Sequence, residues 1–269
     1  MRDEKTILVC GVDAIASAVA HRLFKEGYAV ALLQETAPEI LRRRMTFADT
    51  WFDGAATLDG VSAQRARTSA DFLSGLRGGE YIPLLPHCIE VVTDRWPWDV
   101  VVATREADPT PRLKDRAACT IGLGEGYAAG ANCDFAIETD GPDPGAILRE
   151  GAVPRRCARR RETAVTSALA PASGVFRSSR DIGAVVISGE AIGETGGAPV
   201  TAPVGGRIGG LLREGRAVAK DTPVAEIFSD GAAGFAGISR RAALVARGVS
   251  FALEMEFEGW APVSFDDWT

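Results

Sequence analysis

Histidine, paired cysteines and long apolar runs are what this chain lacks, and each shortage removes a class of function. There are two histidines, His21 and His87, and no H-E-x-x-H, so an all-protein zinc site is not expected. Five cysteines, at 10, 88, 119, 133 and 157, include no C-x-x-C. Their odd number fits free thiols in a reducing compartment, and the expected location is cytoplasmic. No run approaches the roughly 20 apolar residues of a membrane helix, so no membrane partner is expected. The charged opening MRDEK leads straight into a strand pattern rather than a signal peptide. A net charge of −6 argues against nucleic acid as a partner. What remains is the composition of an ordinary globular protein, 46% apolar and 25% charged. With 269 residues, about two domains are expected.

The first motif is LVCGVDAIASAVAHRLFKEGYAVALL, residues 8–33. An apolar run stops at Gly11, an amphipathic stretch follows, and Gly27 precedes a second apolar run, 29–33. Strand, turn, helix, strand is the unit whose first turn usually cradles a dinucleotide pyrophosphate, with the pattern G-x-G-x-x-G/A. Ala16 fills the third place, but Asp13 stands where the second glycine belongs. A carboxylate about 4 Å from a phosphate charge costs on the order of 4 kcal/mol at an effective dielectric near 20, so conventional NAD binding is disfavoured. The plain reading of Asp13 is the N-cap of the following helix, at its positive dipole end. Gln34 and Glu35, ending the second strand, are the candidates for a ribose contact.

Beyond this unit, helices are expected over 46–52 and 69–76, and strands over 82–85, 89–92, 100–103, 120–123 and 135–137. Most of these strands are continuously apolar, as strands buried on both faces are. Residues 1–154 therefore read as a Rossmann-like, doubly wound α/β domain with a parallel sheet, whose ligands would sit at the carboxyl ends of the strands. The glycine-rich loop GLGEGYAAG (122–130) follows such a strand. Its Gly122, Gly124, Gly126 and Gly130 let backbone N–H groups converge on a ligand; the alternative is a tight turn that binds nothing. Glu125 inside the loop disfavours a bare phosphate. Glu138 and Thr139 close the next strand on the same edge. The candidate cofactor-binding residues are thus Gly11, Gly122, Gly124, Gly126, Gly130, Glu138 and Thr139; no catalytic or metal-binding residue is assigned.

Residues 155–163, with five arginines, read as a solvated linker, with a docking patch for an acidic surface as the alternative. Residues 164–231 contain a repeat. APASGVFRSSRDIGAVVISGEAIGET begins at Ala170, and APVGGRIGGLLREGRAVAKDTPVAEI begins 32 residues later, at Ala202. Gly174 pairs with Gly206, Phe176 with Ile208, Gly183 with Gly215, Val186 with Val218 and Ile192 with Val224, as in an all-β module of two similar halves. The arrangement resembles the biotinyl/lipoyl-type barrel-sandwich domain. In those carriers a lysine between the halves is modified, but here none occurs between 170 and 219, so no covalent biotin or lipoyl is expected. The module is expected to pack against the first domain or a partner. Residues 232–269 form a C-terminal helix and acidic tail. In the helix, Ile238, Ala242, Val245, Val249 and Leu253 form one stripe, read as core with a partner-binding face as the alternative. The tail, with two tryptophans, carries no assigned chemistry.

Taken together these segments resemble the selenium-dependent molybdenum-hydroxylase system proteins, distant relatives of the xanthine dehydrogenase accessory factors. The resemblance rests on Gly11, Ala16 and AHRLF (20–24), Pro38, Arg42-Arg43, Phe47, Gly60-Val61, IGLGEGYAAG (121–130), IET (137–139), the two Ala-Pro repeats and ISRRAALVARGVSFALE from Ile238. It implies a Rossmann-like domain joined to a barrel-sandwich domain, acting in cofactor maturation and not in metabolite turnover. Three loops depart from the family's pattern: Asp13-Ala14 where Gly-Asp is usual, ATREAD (103–108) where Asp-Ala and a lysine are usual, and DGPDPGA (140–146) where Arg-Gly-His is usual. The leading expectation is an accessory factor for a molybdenum-type hydroxylase, with a hydroxylase subunit as partner and a pterin-type (molybdopterin-like) cofactor or nucleotide in the α/β crevice. The alternatives are a non-catalytic scaffold that has lost ligand binding and an NAD(P)-dependent oxidoreductase. A homo-oligomer is compatible with either binding role.

Overall fold

The computed structural model describes residues 5–104, 112–154, 165–229 and 234–257. The arginine run 155–163, most of ATREAD and the tail 260–269 lie outside them. In its first half the chain lays down β1 (Thr6–Cys10), α1 (Ala14–Lys25), β2 (Ala29–Leu33), α2 (Thr50–Asp53), β3 (Ala55–Leu58), β4 (Val61–Arg65), α3 (Ser69–Gly78), β5 (Ile82–Leu85), α4 (Ile89–Arg95), β6 (Val100–Thr104) and β7 (Cys119–Leu123). Then come β8 (Ala128–Ala129), β9 (Phe135–Ile137), β10 (Ile147–Leu148) and β11 (Gly151–Ala152). Nine of these strands form one sheet in the order β10-β9-β7-β6-β1-β2-β5-β4-β3, with β8 and β11 paired apart from it. From β9 to β4 every pairing is parallel, and an antiparallel strand closes each edge.

The central strands are apolar over most of their length because both their faces are covered. Ile7 and Val9 of β1 face one core with α1, while Leu8 faces the other with Leu76 of α3 and Val92 of α4. Three expectations need correction. Residues 89–92 are the first turn of α4, not a strand: Ile89, Val92 and Trp96 recur at helical spacing on the covered side, and Val91 points outward. The helix expected over 46–52 is only the four-residue α2, because Thr46 is extended and its hydroxyl receives the Ala48 N–H. The sheet is not wholly parallel, since the hairpin β3–β4 and the short β10 add antiparallel edges.

The second half supplies β12 (Val165–Leu169), β13 (Gly174–Val175), β14 (Arg177–Ser178), β15 (Val185–Val186), β16 (Ala191–Thr195), β17 (Ala198–Thr201), β18 (Gly206–Leu211), β19 (Ala217–Val218) and β20 (Pro223–Phe228). They form three antiparallel sheets around one core that includes Phe176, Ile208, Ile192 and Val224. The repeated positions exchange the same hydrogen bonds. Gly183 N–H donates to Ile208 O at 2.7 Å and Gly215 N–H to Phe176 O at 2.9 Å. Ala170 N–H donates to Thr222 O and Ala202 N–H to Glu190 O, and β13 pairs with β19 as β18 pairs with β15. Each half completes the other, so neither buries its apolar face alone.

The two halves of the chain are pinned together through the segment after β2. Arg42 meets Glu226 at 2.6 Å, Arg43 donates to Leu211 O at 3.0 Å, and Leu211 N–H donates to Leu41 O at 2.8 Å. Arg213 pairs with both Asp49 and Asp53. The chain then returns to the first sheet as α5 (Arg240–Phe257), started by Ser239, whose hydroxyl accepts the Ala242 N–H. Ala242, Val245, Val249 and Leu253 are buried in the core shared with α1, and Ser250 donates to the Glu26 carboxylate. Among the described residues no helix is long and apolar enough to cross a membrane.

Candidate functional site

β1 sends its chain through α1 to β2 on one side, and β6 lies on the other side of β1, so the sheet reverses direction between β1 and β6. A crevice outside the carboxyl ends at such a reversal is where open α/β sheets bind ligands. A cavity of about 310 Å³ opens there. It is lined by Asp13 and Ile15 of the α1 start, Thr104 ending β6, Leu123, Gly124 and Glu125 after β7, and Thr139 and Asp140 after β9. A second hollow, of about 590 Å³, shares Asp13 and is lined by Gln34, Thr36, Glu39 and, from the β module, Arg216.

Asp13 caps α1. Its Oδ1 accepts the N–H groups of Ile15 at 2.7 Å and Ala16 at 2.8 Å, which satisfies two donors that every helix start leaves over. Its carboxylate is therefore held at the cavity wall by the helix it starts. On the far rim Arg241 of α5 donates to Thr139 O at 3.0 Å and to Asp140 Oδ1 at 3.1 Å. The C-terminal helix thus fixes the loop after β9, a link no local pattern in the sequence reveals.

The structure separates the seven candidate residues. Gly124 and Thr139 line the cavity and touch each other: a Cβ on Gly124, whose φ is +88°, would lie 2.7 Å from Thr139 Oγ1. Gly122 serves packing instead, because its missing Cβ makes room for the buried Tyr127 ring, which would stand 2.2 Å away. Gly126 and Gly130 are turn residues, and Gly11 ties the β1–α1 turn to β2 through Leu33 O at 2.8 Å. Glu138 leans over Gly141 into its own loop, where its Oε1 accepts the Asp143 N–H at 3.4 Å. Four of the loop's N–H groups bond within the protein. Those of Gly124, Tyr127, Ala128 and Gly130 are taken by Ile137 O, Gly124 O, Asn132 Oδ1 and Cys133 O.

Thr104 and Asp140 were not among the sequence candidates. Thr104 ends β6 at the reversal and Asp140 follows three residues after β9, so the end of a buried apolar run is the signal that would have found Thr104. The resulting lining presents acceptors: the carboxylates of Asp13, Glu125 and Asp140 and the hydroxyls of Thr104 and Thr139. Of these carboxylates, Asp140 is ion-paired with Arg241 and Asp13 is engaged as the cap of α1. No group of three or more His, Cys, Asp or Glu able to hold a metal occurs among the described residues.

Comparison with known proteins adds an uncharacterized relative. No family profile matches the chain. An uncharacterized Escherichia coli protein, YqeB, is 32% identical over 263 residues, covering 93% of this chain and 47% of its own length. The chain thus spans about half the length of the curated relative it matches. A crystal structure of a succinylglutamate desuccinylase/aspartoacylase from Rhodobacter sphaeroides aligns over 84% of this chain and 86% of its own, with 11% identity and a TM-score of 0.27. That score is too low to carry an argument.

Proposed function

We propose that this chain is an accessory or maturation factor for a molybdenum-type hydroxylase, whose crevice holds a pterin-type ring by its N–H edge. Carrying the reading is the run of acceptors, Asp13, Thr104, Glu125, Thr139 and Asp140, gathered at the reversal point of the sheet. A pterin's amino and ring N–H groups make the donor edge that a carboxylate accepts best, whereas the phosphate of a nucleotide meets repulsion. This acceptor set therefore fits the ring of the implied cofactor and does not fit a phosphate at the same wall. In the proposed architecture, a Rossmann-like doubly wound domain carries the site, α5 closes its rim, and a barrel-sandwich module without a lysine between its repeated halves packs alongside. The ring carries whatever chemistry the bound cofactor supplies; Asp13, Glu125 and Asp140 orient it, and no residue here is assigned to turnover.

One observation favours a second reading, a scaffold that binds no small molecule. Gly122 serves packing against Tyr127, and the N–H groups of Gly124, Tyr127, Ala128 and Gly130 are taken by internal hydrogen bonds. Titration with pterin, followed by its own fluorescence, separates the two readings. Saturable binding with NAD unable to compete supports the first. Failure of pterin to bind at millimolar concentration supports the scaffold.

A further inference from the structure

We propose a second small-molecule site, for a planar aromatic anion, in the hollow between α3 and α4. This hollow has a volume of about 470 Å³, within the roughly 300–1,000 Å³ usual for ligand pockets. It lies against the α3–α4 face of the sheet, whereas α1 and α5 cover the other. Phe72, Trp96 and Trp98 make its apolar wall, with Phe72 edge-on to Trp96 at 5.2 Å and to Trp98 at 6.1 Å. Arg67, Arg95 and His87 stand around the same hollow, and no carboxylate is among its described lining residues.

Two details distinguish this hollow from an ordinary gap between helices. The nearby Asp71 carboxylate is turned to the start of α3, where it accepts the N–H groups of Arg67 at 3.0 Å and Thr68 at 2.9 Å, and it does not line the hollow itself. The two indoles differ as well. Trp98 Nε1 donates to Val92 O at 3.2 Å, while Trp96 Nε1 is shielded from water with no acceptor among the described residues. Aromatic faces offer area to a flat ring, and guanidinium groups fix a carboxylate in a two-pronged geometry. Together they define an aromatic carboxylate. A neutral aromatic would leave the cations unmet, and an aliphatic anion would leave the rings uncovered.

The test is calorimetry of the full chain with 2-naphthoate and with its neutral amide, 2-naphthamide, two probes of the same shape. The naphthoate is expected to bind at least tenfold more tightly, and Arg95→Gln to lower its affinity about tenfold while leaving the amide unchanged. Arg67→Gln provides a second variant should Arg95→Gln melt early. Equal binding of the two probes by the unaltered protein, or no heat from either at millimolar concentration, overturns the proposal. Because α3 and α4 lie apart from the Asp13 crevice, this result is independent of whether pterin binds there.

Discussion

Replacing Asp13 in two ways separates its part in the fold from its part in the crevice. In Asp13→Ala both N–H groups held by Oδ1 lose their acceptor. Loss of an N-cap costs about 1 kcal/mol, which lowers the melting temperature of a chain this long by roughly 2–4 °C. Asp13→Asn keeps an acceptor but gives up charge at the positive end of α1, about 0.3–1 kcal/mol, so it is expected to melt between the alanine variant and the natural protein. Binding should order the variants differently. A hydrogen bond to a charged acceptor is worth about twice a neutral one, a difference near 1.4 kcal/mol, so asparagine should weaken pterin about tenfold. The same change removes a repulsion of up to about 4 kcal/mol toward a phosphate at 4 Å, so NAD affinity should rise. Calorimetry with both ligands and thermal melting read the two effects on the same samples. If asparagine leaves pterin affinity untouched and gains nothing for NAD, Asp13 is only a cap and the crevice argument fails.

Further expectations follow from other parts of the molecule. Gly122→Ala drives a methyl into the Tyr127 ring and should cost about 3 kcal/mol or more, whereas Gly130→Ala, with open space around it, pays chiefly for its φ of +82°, about 1 kcal/mol; chemical unfolding of the two variants reads the gap. Arg213 holds the Asp53 carboxyl below its usual pKa by hydrogen bonding. The stabilisation this gives is complete above the ordinary carboxylate pKa, near 4, and is lost as pH falls through the lower folded value. The melting difference between natural protein and Asp53→Asn should accordingly shrink on acidification from pH 5 to about pH 3. Burial pushes the Cys119 thiol up to about 12 and the Cys133 thiol up to about 11, so alkylation at about pH 8 should label Cys10 and Cys88 ahead of Cys119 and Cys133, as peptide mass mapping would show. The intact mass should equal that of the bare 28.4 kDa chain, since no lysine lies between the repeated halves; an added biotinyl or lipoyl mass would contradict this.

The parts of this fold legible in the sequence are those where one residue's surroundings are local. β1, β2, β5 and β6 announce themselves because strands buried on both faces must be apolar throughout, and Asp13 announces its cap because the acceptor and the helix start are neighbours. The hairpin β3–β4 was not legible: Thr57, Ser62 and Gln64 sit on a sheet edge that faces partly outward, so no apolar run marks it. The first turn of α4 was misread because β-branched Val91 and Val92 mimic a strand over four residues, and only Trp96, a turn further on, shows the helical spacing. At the candidate site, the glycine loop and the IET strand end lie at the carboxyl edge of the sheet, where the crevice opens. What they could not show is that Tyr127 fills the space over Gly122, or that Arg241, a hundred residues away, holds Thr139 and Asp140. Those contacts depend on the return of α5. Nor did anything in the spacing of Phe72, Trp96 and Trp98 place them around one hollow with Arg67 and Arg95.

A native mass spectrum of the full chain, purified gently from cells that make a molybdenum hydroxylase, tests the central claim most directly. The account predicts one retained molecule of pterin class per chain, lost when Asp13 is replaced by asparagine. A spectrum of the bare chain alone, or one carrying a nucleotide, would contradict it.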